Sequence, residues 1–198
     1  WTLETAIATL NKLSEFGIDY VEQPVATVAE MIELKPQVGR IGIRLAADEL
    51  VRKSPTPEDI FDTRLATIAV MKVGPLGGMR RTLELARQAT SAGLEVVISS
   101  GLETSVGLTT GLLTAHDLME SAGQIPDTGL GTACFFQSDV VTDPLRVVDG
   151  HVQPTVLQLD SEKILRLKAS QDRQAWWMER LRRCYEVASE LLKKDGLE

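Results

Sequence analysis

The sequence predicts an α/β fold in which parallel strands alternate with helices, as in a (β/α) barrel. Five short apolar runs, most of them followed by a helical pattern, end near Glu22, Asp48, Lys72, Ser99 and Gly131. Near-continuous apolar strands are typical of a parallel sheet that helices cover. We favour a barrel over a doubly wound sheet, because no G-x-G-x-x-G motif follows the first strand and polar residues close successive strands.

The first helix is predicted over residues 3–13, where Leu and Ile recur at helical spacing between Thr2 as N-cap and Gly17 as C-cap. The same patterns predict the later elements, which are strand 18–22, helix 27–35 ended by Pro36, strand 42–49, helix 57–62, strand 66–72, a helix from Met79, strand 94–101, a helix through Leu108 and Ala115, a weaker strand 129–136, a hairpin-like stretch to about Pro154, and a last amphipathic helix around Trp177 and Leu181.

Composition narrows the class of protein. With 198 residues, 43% hydrophobic and 25% charged, the chain fits one globular domain or part of a larger one. A net charge of −7 argues against a nucleic-acid partner, and no apolar run is long enough for a membrane helix. Cys134 and Cys184 lack metal-site spacing, so we interpret them as reduced thiols of a cytoplasmic protein.

Polar side chains close three consecutive apolar strands, and we expect them to share one rim of the sheet. Glu22 and Asp48 would stand on neighbouring strands about 5 Å apart, where two carboxylates repel unless a cation lies between them. Mg²⁺ is the natural occupant, because it typically takes one or two carboxylates and keeps waters or substrate oxygens. Lys72 would face the same space as base, acid or electrostatic partner, and Ser99 with Ser100 would receive a substrate carboxylate or carbonyl.

The segments "DYVEQP", "LAADE", "AVMKVGPLGG" and "ISSGLETSVGL" resemble consecutive motifs of the enolase superfamily. They are most similar to those of the o-succinylbenzoate synthases of menaquinone biosynthesis, and the "WW" helix near the C-terminus is also like that group. The resemblance implies the C-terminal portion of a (β/α) barrel of the enolase-superfamily type, with about five βα units and without the N-terminal capping domain. Residues 1–154 would form this partial barrel, and residues 155–198 a tail that packs on the barrel or the cap.

The resemblance also implies roles for individual residues. Glu22 and Asp48 would be two of three Mg²⁺ ligands, and Lys72 the second of two active-site lysines. The implied substrate-binding residues are Ser99, Ser100, Gly101 and Gly129. The implied reaction is the Mg²⁺-dependent dehydration of a small carboxylate, 2-succinyl-6-hydroxy-2,4-cyclohexadiene-1-carboxylate, to 2-succinylbenzoate.

The family pattern has parts that this sequence does not contain. A Lys-x-Lys pair, which supplies the base, and the first metal-binding aspartate would lie upstream of Trp1. We therefore expect the chain to be part of a longer enzyme, and to bind metal weakly and not turn over by itself. Two alternatives stay open: an N-acylamino-acid racemase or dipeptide epimerase of the same superfamily, and a non-catalytic barrel remnant. The sequence does not indicate an oligomeric state.

Overall fold

The protein is described by a computed structural model over residues 1–123, 126–153 and 155–194. It divides into two compact units, Trp1–Gln158 and Leu159–Glu198. The helices are α1 Leu3–Leu13, α2 Val28–Gly39, α3 Glu49–Arg52, α4 Pro57–Asp62, α5 Met79–Ser91, α6 Ser105–Ala122, α7 Ser161–Arg166 and α8 Gln171–Lys194. The strands are β1 Tyr20–Glu22, β2 Arg44–Ala47, β3 Ile68–Lys72, β4 Glu95–Ser99, β5 Val147–Val148 and β6 His151–Val152.

The first four strands form one parallel sheet in the order β1-β2-β3-β4. This confirms the predicted α/β fold with a parallel sheet. Glu22 pairs with Ala46, Ala46 with Ile68, and Lys72 with Ser99. Because neighbouring strands are parallel and in sequence order, their carboxyl ends meet at one edge of the sheet.

Both faces of this sheet are apolar, which explains why the strands lack a polar alternation. One face packs under the helices and contributes Ala47, Ala69, Met71, Val96 and Ile98 to the main core. The other face carries a smaller buried cluster of Ala46, Ile68, Val70 and Val97, with Tyr20 packed against it. Because side chains alternate between the two faces of a strand, Glu22, Lys72 and Ser99 lie on the same face of the sheet as this second cluster.

The helix α2 runs four residues beyond the predicted end at residue 35, so the prediction that Pro36 terminates it is wrong. Its start carries a capping box between Thr27 and Glu30, as expected of a stable N-terminus. Proline in a helix costs about 3 kcal/mol, but burying a valine side chain stabilises by roughly 1.5–3 kcal/mol. Val38 is buried, and its carbonyl accepts hydrogen bonds from Ile41 and Ile43, so the last turn stays in place.

The predicted strand 129–136 is wrong over most of its length. It is reduced to one parallel bridge between Gly129 and Ser99, followed by a 3₁₀ helix over Gly131–Phe135. Leu130 is buried against Gly111 of α6, and Phe135 beyond it is exposed. The apolar run therefore contains one buried residue, Leu130, and exposed aromatic residues, so most of it does not form a strand.

The hairpin predicted after this stretch is confirmed by the antiparallel pair β5–β6, while Pro154 lies outside the described residues. The predicted last helix is α8, in which Trp176 and Trp177 meet edge to face with ring centroids 4.8 Å apart. Packing of the tail on a barrel or cap stays a prediction. Within the part of the chain that the structure describes, every helix is too short or too polar to cross a membrane.

Candidate functional site

The structure brings three of the predicted site residues together at the carboxyl edge of the sheet. The Lys72 Nζ atom lies 2.5 Å from Asp48 Oδ2 and 3.8 Å from Glu22 Oε1. Side-chain exposure falls from 41% for Glu22 to 18% for Lys72 and 3% for Asp48. The ammonium group therefore bridges one buried and one half-exposed carboxylate, each from a different strand end.

Asp48 follows β2 directly and occupies the N-cap position of α3, so it is not part of the strand as predicted. Its second oxygen, Oδ1, lies 3.3 Å from Arg52 Nε, one turn along the chain. The geometry does not make a hydrogen bond, and both atoms are buried without a hydrogen-bond partner. Asp48 Oδ1 is therefore paired with Arg52 by charge but lacks the hydrogen bond that buried polar atoms nearly always have.

The pKa of Glu22 is raised above its ordinary value. Partial burial is the largest cause, the negative charge of Asp48 is the next, and Lys72 acts in the opposite direction. For Glu22, burial and the repulsion by Asp48 thus outweigh the attraction of Lys72. Additional positive charge would favour the ionised form of Glu22.

The donor set fits a magnesium ion held by two carboxylates, Glu22 and Asp48. Mg²⁺ commonly uses one or two protein carboxylates, with waters and substrate oxygens completing its octahedron. Asp48 Oδ1 has no hydrogen-bond partner, and the raised pKa of Glu22 shows that additional positive charge beside Glu22 would be favourable. Over the described ranges, no cluster of three or more His, Cys, Asp or Glu side chains could enclose a metal ion by itself.

The serine side of the rim is neutral and tightly packed. Ser99 pairs with Lys72 across β3 and β4, and its hydroxyl lies 3.5 Å from the Gly129 carbonyl as a long hydrogen bond. A Cβ atom at Gly129 would lie 2.5 Å from Ser99 Oγ, so a larger residue there would force a neighbour to shift. Ser100 is buried, and its hydroxyl shares a hydrogen bond of 2.5 Å with Thr132.

Of the four predicted substrate-binding residues, Ser99 is thus on the face of Lys72, and Gly129 lies against it. The hydroxyl of Ser100 is already engaged with Thr132, a partner that the sequence did not indicate. Gly101 is exposed, and its N–H donates to Glu103 Oε2 at 3.1 Å.

Glu103 precedes Thr104, the N-cap of α6, and its carboxylate turns back to the preceding loop. Its second oxygen approaches Gly74, where a Cβ atom would lie 3.3 Å from Oε1. Leu102, which turns the chain back between Gly101 and Glu103, has a φ of 65°. The carboxylate of Glu103 therefore bonds to the loop after β4 and lies close to the loop after Lys72.

Gln23 is a second residue whose part in the site the sequence did not reveal. It follows Glu22 with a φ of 40°, unusual for a residue other than glycine. Its Oε1 accepts hydrogen bonds of 3.2 Å from the N–H groups of both Asp48 and Leu50. In the sequence, this role of Gln23 is indicated only by its position between Glu22, an acid at a strand end, and Pro24.

Comparisons with known proteins agree with this fold. Residues 1–157 match the family described as enolase C-terminal domain-like. The chain is 36% identical to an o-succinylbenzoate synthase of Mycobacterium bovis over 188 residues, which cover 94% of this chain and 55% of the relative. It is 37% identical over 186 residues to an o-succinylbenzoate synthase of Mycobacterium ulcerans, covering 93% and 54%. The chain thus spans about half the length of these curated relatives.

Solved structures give the same result at the level of the fold. A muconate cycloisomerase from Pseudomonas fluorescens superposes with a TM-score of 0.73 at 23% identity, over 83% of this chain and 46% of that one. A muconate lactonizing enzyme from Klebsiella pneumoniae gives 0.72 at 25% identity, over 86% and 48%. From the family match, the motifs and the parallel sheet together, the chain belongs to the enolase C-terminal domain-like family, with o-succinylbenzoate synthases among its relatives.

Proposed function

We propose that this chain carries the metal-binding and electrophilic part of an o-succinylbenzoate synthase site. The reaction is dehydration of 2-succinyl-6-hydroxy-2,4-cyclohexadiene-1-carboxylate to 2-succinylbenzoate, in menaquinone biosynthesis. The observation that carries the proposal is the meeting of Glu22, Asp48 and Lys72 at one sheet edge, with Lys72 Nζ within 3.8 Å of both carboxylates. The similarity to synthases of two mycobacteria supplies the reaction class.

Glu22 and Asp48 would hold Mg²⁺, which supplies positive charge for the carboxylate of the substrate. Lys72 presents a second positive charge on the same face of the sheet. A unit charge pair at 4 Å is worth about 4 kcal/mol at an effective dielectric constant near 20, enough to stabilise an anion as it develops. Lys72 acts in this scheme by its charge and does not need to transfer a proton.

The substrate would lie between this charged group and the neutral serine side. Ser99 would contact it through the hydroxyl beside Lys72, and the backbone at Gly101 and Gly129 would line the far side. Ser100 would stabilise these substrate-contacting residues without contacting the substrate through its hydroxyl, because that hydroxyl is hydrogen-bonded to Thr132.

The same proposal extends to the fold of the protein and to its cellular compartment. The parallel sheet would be part of a (β/α) barrel whose interior is the face bearing Ala46, Ile68, Val70 and Val97. Residues 155–198 would be a tail packed on the barrel or its cap. Both cysteines are free and exposed, which suits a reducing compartment such as the cytoplasm.

The test measures metal binding and turnover separately. The wild-type chain and Asp48→Asn are titrated with Mn²⁺ as a paramagnetic probe, and the chain is also joined to the upstream half of the Mycobacterium bovis synthase for assay. We expect Mn²⁺ binding that Asp48→Asn weakens, and Mg²⁺-dependent 2-succinylbenzoate formation only by the joined protein.

Three results would contradict the proposal. If wild type and Asp48→Asn bound Mn²⁺ with equal affinity, Asp48 would not be a metal ligand and the proposed metal site would be wrong. Exchange of the α-proton of N-succinyl amino acids by the joined protein, with no aromatic product, would replace the synthase by a racemase. Robust turnover by the unjoined chain would mean that its base lies among residues 1–198.

A further inference from the structure

We propose that Gln23 is a positioning residue that fixes the Asp48 carboxylate beside Glu22. This inference rests on the proposed metal-assisted function of these two carboxylates. Gln23 would not contact the substrate. It would act by clamping the junction between β2 and α3, where Asp48 leaves the strand.

The contacts of Gln23 join the ends of two strands. Its backbone N–H donates to the Ala46 carbonyl at 2.9 Å, which extends the β1–β2 ladder one residue beyond Glu22. Its Oε1 then accepts from the N–H groups of Asp48 and Leu50 at 3.2 Å each. One side chain thereby fixes both sides of the turn in which Asp48 changes from strand to helix.

The amide nitrogen of Gln23 completes the clamp. Nε2 donates to the Val25 carbonyl at 2.8 Å, so the side chain is held at its far end by its own loop. A carboxylate in its place could still accept from Asp48 and Leu50 but could not donate to Val25. A carboxylate here would also add a third negative charge next to Glu22 and Asp48.

The backbone of Gln23 is strained, and its neighbours enforce the strain. A φ of 40° is rare for a side chain with a Cβ, and Pro24 further restricts the residue that precedes it. The hydrogen bond to Ala46 fixes the peptide on the other side. Strain that the surrounding structure maintains is concentrated at functional sites, and here it aims the side chain at the Asp48 turn.

A purely structural role makes a different prediction from a positioning role. If Gln23 only stabilised the fold, its loss would weaken all amide protection in proportion to global stability. If it clamps the Asp48 turn, the effect is confined to the two N–H groups that it holds. Their hydrogen exchange can be compared with that of Lys53, whose N–H bonds to Glu49 inside α3.

The experiment measures amide exchange and Mn²⁺ binding in the wild-type chain, Gln23→Met and Gln23→Glu. Gln88→Met on α5, away from the site, is the matched control. In Gln23→Met, we expect exchange at Asp48 and Leu50 to rise roughly tenfold relative to Lys53, and the Mn²⁺ dissociation constant to rise about tenfold. Gln23→Glu keeps the acceptor, so it should restore protection to within about threefold of wild type.

Each outcome decides one question. Unchanged exchange at Asp48 and Leu50 in Gln23→Met would overturn the clamp, whatever the metal result. Faster exchange with wild-type Mn²⁺ affinity would overturn the positioning of Asp48. A wild type that binds no Mn²⁺ would instead remove the proposed metal site, and the amide exchange would still decide whether Gln23 clamps the turn.

Discussion

The carboxyl edge of the sheet has two parts with opposite chemistry. On the side of β1 to β3, Glu22, Asp48 and Lys72 form a charged group in which Asp48 Oδ1 has no hydrogen-bond partner. On the side of β4, Ser99 and Ser100 are neutral, and their hydroxyls bond within the protein. The first part is organised by charge, and the second by close packing. Substitutions should therefore act through ligand binding and catalysis on one side, and through stability on the other.

The largest expected effect follows from removing Lys72, whose amine bridges the two carboxylates. With Lys72→Ala, the charge that faces the developing anion is lost, and turnover of the joined protein should fall by about 10²–10³. The measurement is the steady-state rate of 2-succinylbenzoate formation at saturating Mg²⁺. Lys12→Ala on the exposed end of α1 is the control and should keep the wild-type rate. A Lys72→Ala rate within a factor of three of wild type would remove Lys72 from the mechanism.

The packed side should respond to a single methyl group. In Gly129→Ala, the new Cβ would lie 2.5 Å from Ser99 Oγ, and relieving this overlap should cost about 1–3 kcal/mol of unfolding free energy. At Gly39, by contrast, a Cβ atom meets nothing within 4 Å, and its φ is not positive. Gly39→Ala should therefore be neutral or stabilising by up to about 1 kcal/mol. Urea denaturation of both variants tests the pair, and equal stabilities would contradict the packing argument.

The two parts of the edge also differ in how far the sequence predicted them. That Glu22, Asp48 and Lys72 lie near one another follows from their positions at the ends of consecutive strands, because the carboxyl ends of neighbouring parallel strands meet at one edge, while their roles stay a prediction. The sequence did not reveal Arg52 beside Asp48, or the clamp by Gln23, because both depend on how the chain turns after the strand. The bridge at Gly129 was predicted as a full strand, since local apolarity does not distinguish the buried Leu130 from the exposed Phe135.

The adjacent serines offer a finer test of the same division. Ser100→Ala should destabilise the fold by about 1 kcal/mol, because the change leaves the Thr132 hydroxyl without its partner near the core. Ser99→Ala gives up only a long hydrogen bond of 3.5 Å, so its stability should change by less than about 0.5 kcal/mol. In the joined protein, Ser99→Ala should instead raise the KM. Thermal denaturation and steady-state kinetics of both variants are the measurements. If Ser100→Ala alone changed the KM, Ser100 and not Ser99 would be the residue that contacts the substrate.

The smallest expected effect concerns the ionisation of Glu22 in the metal-free protein. Because its pKa is raised in the folded state, the ionised carboxylate disfavours folding, and this penalty grows as pH rises through the folded pKa. Below the ordinary glutamate pKa the side chain is protonated in both states, and the penalty is absent. Glu22→Gln should therefore be slightly more stable than wild type at pH 7, with a difference that disappears on acidification.

The size of this effect is limited by solvent. Glu22 is 41% exposed, so screening should keep the gain in Tm below about 3 °C. Thermal melts between pH 4 and pH 8 in the presence of a chelator measure the gain, and Glu15→Gln on an exposed turn is the control. Saturating Mn²⁺ should reverse the sign, because only the wild type then gains the full stabilisation of a bound cation. If Glu22→Gln were less stable than wild type at pH 7 without metal, attraction to Lys72 would outweigh both burial and the repulsion by Asp48, and the charged side would already be balanced without a metal ion.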